Sequence, residues 1–71
     1  MSRVALTPKE VVAILERMGF EFVRQKGSHR IYVKEKRMVV VPMHGGTLKR
    51  ATLMNIIKGT GLTAEEFLGW K

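Results

Sequence analysis

A chain of 71 residues can build one small core and not two, since at this length only about 60% of the unfolded surface is buried on folding. Its 45% apolar content places it among globular rather than disordered chains, and its lack of cysteine excludes a disulfide framework and a thiolate zinc site. Thirteen Lys and Arg against 6 Asp and Glu leave a formal net charge of +7, which draws the chain to polyanions, and to nucleic acid before a membrane surface, because no expected helix pairs a strongly basic face with aromatic anchors.

Thr7-Pro8-Lys9-Glu10 has the form of a capping box that opens a helix, with Pro8 suited to the first helical position. Val11, Ile14, Leu15 and Met18 recur at the spacing of one helical face, and Gly19 can end the helix in the left-handed conformation. From Phe20 the period shortens to two, Phe20 and Phe22 alternating with Glu21, until Lys26-Gly27-Ser28 turns the chain. His29 to Lys34 alternates again: His29, Ile31 and Val33 share one face, while Arg30, Tyr32 and Lys34 share the other. One face is expected to be buried and the other wet, with Tyr32 packed on the surface or stacked on a base.

Glu35-Lys36-Arg37 is a polar connection to a third strand, Met38 to Val41, which Pro42 stops. After the loop His44-Gly45-Gly46, Thr47 can cap a second helix striped by Leu53, Ile56, Ile57 and Thr60, with Gly59 and Gly61 as its terminators. Thr63-Ala64-Glu65-Glu66 repeats the capping box ahead of a short turn bearing Phe67 and Leu68. Trp70 reads as terminal packing and the methionines as core filler. The expected fold class is therefore α+β: one domain over residues 1–71 in α-β-β-β-α order, a three-stranded antiparallel meander with its helices on one face. Met1 to Glu10 lacks an apolar signal core, and the run Val39 to Val41 is too short to span a bilayer, so a cytoplasmic protein without membrane contact is expected.

Lys49 and Arg50 fall at the start of the second helix, where the macrodipole already disfavours cations. The placement makes sense if an anion binds there, since helix amides, two basic side chains and a preceding glycine pair form a phosphate site. The alternative is that both side chains extend into solvent at a cost of a few tenths of a kcal/mol each.

Gly27-Ser28-His29 sets a histidine at the mouth of a strand between Lys26 and Arg30. Histidine ordinarily titrates near pH 6.5 and can therefore give or take protons near neutrality. The same spacing also fits a core-edge histidine with both nitrogens hydrogen-bonded. The ordered set Lys26-Gly27-Ser28-His29, Ile31-Tyr32, Val39-Val40-Val41-Pro42-Met43-His44-Gly45, Leu53 with Ile56-Ile57, and Glu65-Glu66-Phe67-Leu68 resembles the HicA family of toxins over nearly the whole chain. Many members of that family carry a Pro-Gly where this chain has Arg50-Ala51.

The resemblance implies a fold like that of double-stranded RNA-binding domains. It further implies an mRNA-cleaving toxin that inhibits translation, a HicB antitoxin as partner, and His29 as the catalytic residue supported by Gly27 and Ser28. With no metal-ligand cluster beyond His29 and His44, the fitting reaction is metal-independent and cofactor-free: attack of a ribose 2′-hydroxyl on its own phosphate, His29 acting as general acid or base. His44 is a possible second acid or base, or else it shapes its glycine turn. Lys26, Arg30, Lys34, Lys49 and Arg50 are the expected RNA contacts. The rivals are a non-catalytic double-stranded RNA-binding module and a basic docking protein for an acidic partner.

Overall fold

The first helix, α1 (Pro8–Met18), starts where two hydrogen bonds close the capping box. The Glu10 N–H donates to the Thr7 hydroxyl at 3.2 Å, and the Thr7 N–H donates to the Glu10 carboxylate at 2.9 Å. The Thr7 backbone N–H, and after it the Thr7 hydroxyl, hold the Glu10 carboxyl below its ordinary pKa of 4.5. Gly19 ends the helix at φ 99°. This computed structural model describes residues 5–71; the first four residues, part of the stretch read above for a signal core, lie outside the described residues.

Three strands follow, β1 (Glu21–Lys26), β2 (His29–Lys34) and β3 (Arg37–Pro42), then α2 (Arg50–Thr60) and α3 (Ala64–Leu68). The sheet is antiparallel in the order β1-β2-β3. Gly27 sits at φ 59° in the two-residue turn between β1 and β2, a backbone setting that glycine adopts without strain. The α+β order expected above is the one observed.

In the register, Tyr32 stands opposite Val39, and Arg30 opposite Val41; cross-strand partners share a face. Tyr32, Val39 and Val41 are buried with Val11, Ile14 and Leu15 of α1, Leu53, Ile56 and Ile57 of α2, and Phe67 of α3. The face of β2 that carries Tyr32 is thus the core face. Tyr32 is 1% exposed and cannot stack on a base, contrary to the surface role expected for it. Alternation established two faces but not which one the helices would cover, and a large aromatic body fills the space beneath α1 and α2.

The alternation of Phe20 and Phe22 with Glu21 is met only in part: Phe20 is buried, but it lies ahead of β1. Every residue of β1 is exposed, Phe22 by 52%, because α1 and α2 pack over β3 and leave β1 beyond their cover. Phe22 instead sets its ring edge-to-face against Tyr32, the centroids 5.8 Å apart. Among the methionines, Met18 is core and Met43 packs against it, but Met38 is 62% exposed and is no core filler.

Two features of α2 differ from expectation. Its N-cap is Lys49, without a side-chain cap, not Thr47. Leu48 is buried, and its N–H donates to the Leu6 carbonyl at 2.8 Å, so the chain is anchored to the segment before α1 until it has passed Thr47. Gly59 lies within the helix, and only Gly61 terminates it, at φ 82°. A Cβ at Gly59 would come within 3.3 Å of the Val39 side chain and 3.5 Å of the Met38 carbonyl; the missing side chain lets α2 lie against the edge of β3. Among the described residues no helix is long and apolar enough to cross a membrane.

Candidate active site

His29 is the first residue of β2, facing Lys26 across the hairpin and Pro42 across the second ladder. Pro42 has no N–H to continue that ladder, yet the Met43 N–H donates to the Ser28 carbonyl at 2.5 Å, so the chain beyond β3 stays alongside the Gly27–Ser28 turn. His44 follows two residues after the end of β3, in the loop that leads to α2. Both histidines of the chain thus lie at the same end of the sheet.

There the two imidazoles line one open groove of about 700 Å³ between β3 and α2. Lys49 closes it at the start of α2, Thr52, Asn55 and Gly59 line its helical wall, and Met38, Val40 and Pro42 line the strand wall. Thr52, Asn55 and Gly59 recur at i, i+3 and i+7, one face of α2 beside the buried Leu53, Ile56 and Ile57. The absent side chain at Gly59 sets how close the two walls stand.

His29 and His44 are both exposed to solvent. The His44 Nδ1 lies 2.9 Å from the Gly45 carbonyl oxygen. A carbonyl can only accept, so Nδ1 carries the hydrogen and Nε2 is left to exchange a proton. No carboxylate lines the groove, so the only charged side chain among its lining residues besides the titratable imidazoles is the Lys49 ammonium.

The other expected site residues are placed differently. Gly27 and Ser28 form the turn that carries His29, and Lys26 lies directly across from it. Arg50 is the first residue of α2, exposed and next to the groove's Lys49. Arg30 and Lys34 are on the core side of the sheet: the Arg30 guanidinium donates to the Gln25 side chain at 3.1 Å and lies 6.0 Å over the Phe22 ring. The Lys34 ammonium donates to the Met18 carbonyl at 2.6 Å, satisfying the C-terminal end of α1.

Sequence reasoning missed Thr47, Thr52 and Asn55 as neighbours of the histidines. The polar positions flanking the α2 stripe were the available signal, but which side of the sheet they would meet depended on how the helix packs. A search of curated proteins finds no match for this chain. The family model described as "HicA toxin of bacterial toxin-antitoxin" matches residues 8–62, well over half the chain, from the start of α1 through α2 and including both histidines and Lys49. The chain belongs to the HicA toxin family, and is the toxin of a toxin-antitoxin pair.

Proposed function

We propose that this toxin is a metal-independent endoribonuclease that cuts mRNA in the cytoplasm and so inhibits translation, with His29 as its proton-transfer residue and a HicB-type antitoxin as its partner. The reading rests on one observation: His29 from β2, His44 from the following loop and Lys49 from the start of α2 converge on a single groove. In that groove RNA supplies the nucleophile. Its 2′-hydroxyl attacks the adjacent phosphorus while one imidazole takes the hydroxyl proton, and the other gives a proton to the departing 5′-oxygen. The products are a 2′,3′-cyclic phosphate and a free 5′-hydroxyl, with no net gain or loss of protons.

Lys49 balances charge on the phosphate, as a fixed cation does at other phosphoryl sites, and Lys26 and Arg50 extend the basic path on either side. Gly27 and Ser28 act by holding His29 at the mouth of its strand. Arg30 and Lys34, on the other side of the sheet, serve RNA at most outside the groove. Among the described residues no three His, Cys, Asp or Glu are grouped to hold a metal ion.

The test is cleavage of a synthetic transcript by purified protein in the presence of a chelator. The wild type is expected to cut, leaving cyclic phosphate ends, and His29→Ala to bind the transcript without cutting. Cutting that stops in chelator transfers the chemistry to a metal. Binding by the wild type without cutting leaves a double-stranded RNA-binding module.

A further inference from the structure

We propose that the hollow between the start of α1 and the His44–Gly46 loop is a nucleobase subsite, which seats the unpaired base next to the phosphate held in the groove; this rests on the ribonuclease reading above. The hollow measures about 410 Å³, and His44 lines both it and the groove. One imidazole is thus the partition between them, so an RNA strand lying along the groove reaches the hollow with its next nucleotide.

The walls offer apolar and aromatic surface beside one cation, Lys9, a mix that fits a nucleobase with acceptors on its edge. Although α1 begins here, Pro8 has no N–H and the Thr7 and Glu10 N–H groups are spent within the capping box, which leaves the N–H of Lys9. The Glu10 carboxylate bound to the Thr7 N–H adds negative charge at the same helix end. What remains is apolar surface from Pro8 and Met43, the His44 ring, the backbone of Gly45 and Gly46, and the exposed Lys9 at the rim.

Unpaired bases are held by packing on flat or apolar side chains and by hydrogen bonds to their edges. Here, among the described residues, neither the Gly45 nor the Gly46 N–H has a partner within the chain. A Cβ at either glycine would meet nothing within 4 Å, so the rim is open, and the bare backbone allows a base edge to come close. The Gly45 carbonyl is already engaged by the His44 ring. A base pressed against that ring therefore couples recognition to the position of a groove imidazole.

The test maps the ends left by cleavage of short synthetic RNAs randomised around the cut, using wild type, Gly45→Phe and Met43→Ala, with thermal melting to check each fold. Gly45 has no positive φ, so a phenylalanine there brings bulk without backbone strain. The wild type is expected to prefer one class of base at a single position beside the cut, and both variants to lose that preference there and nowhere else. Preference that persists in both folded variants, or none in an active wild type, overturns the subsite and spares the nuclease. A wild type that cuts none of the RNAs removes both. A second measurement needs no variant: the four free nucleosides are titrated while the imidazole resonances are followed. Shifts at His44 exceeding those at His29 support the subsite, and their absence overturns it.

Discussion

On β2, His29 and Tyr32 stand three positions apart and on opposite faces of the same strand, and they have been given opposite tasks. Tyr32 is 1% exposed and belongs to the core that both main helices build; His29 is exposed and lines a groove. The contrast teaches that in so small a domain the machinery is mounted on the back of the core. His29 and Tyr32 project from opposite faces of the strand, so each should be removable with little harm to the other's task.

The largest expected effect is on the reactive side. His29→Ala should lower cleavage by about 10²- to 10⁴-fold, the usual contribution of a proton-transfer residue. It should move stability by no more than about 0.5 kcal/mol, as for other exposed positions. Cleavage rates and a denaturant titration on the same preparation check both; a variant that is inactive and also unfolds early would merge the two faces into one.

Next comes the core face. Tyr32→Ala should cost about 3–5 kcal/mol, as truncation of a buried aromatic residue does. A domain of this length holds roughly 4–10 kcal/mol in all, so the variant should lose a large share of its stability and melt at a much lower temperature by circular dichroism. A milder change, Tyr32→Phe, should keep the fold and the cleavage rate if the ring rather than a base contact is what matters at this position.

Gly59→Leu tests the seam between the two sides, because Gly59 both touches Val39 and lines the groove. Overpacking there should cost about 1–3 kcal/mol and should also lower cleavage, as α2 is pushed off β3 and Lys49 moves with it. A loss of stability with full activity would show that the groove does not depend on the spacing of its walls.

The smallest effect is the acid sensitivity of the first capping box. Glu10 has its folded pKa below its ordinary value of 4.5, so the unfolded chain takes up its proton first on acidification. The stabilisation is fully present above that value and fades as the pH falls through the lower, folded pKa. Melting temperature should therefore fall less steeply below pH 4.5 in Glu10→Gln than in wild type. Equal slopes would mean that the carboxylate contributes nothing in its charged form.

How much of this was readable in the chain differs by element. Both capping boxes appear where Thr7 and Thr63 announce them, because a cap is satisfied by residues three positions apart and needs no distant partner. The β2 hairpin is equally local, since Gly27 fits the positive φ of its two-residue turn. Thr47 and Gly59 misled for the opposite reason. A good cap residue was passed over because Leu48 is anchored to Leu6, and a residue that usually breaks helices was kept inside one because β3 lies against it.

The candidate site divides in the same way. His29 could be picked out from the residues beside it and from the family likeness they carry, but its partners in the groove come from a loop and from a helix face that alternation and helical period leave free to point anywhere.

What the sequence alone determined is each element, its ends where a local cap or turn exists, the strong positive charge, and the family to which the whole pattern belongs. These depend on interactions between near neighbours or on composition, and both are written in the order of residues. Only the tertiary structure decided that Tyr32 faces inward and His29 outward, that β1 is left uncovered, and that His44 and Lys49 meet His29 across one groove. Those outcomes follow from which face of a three-stranded sheet the helices cover. That choice is made by the fit of distant side chains against one another, and it has no signature within any single segment.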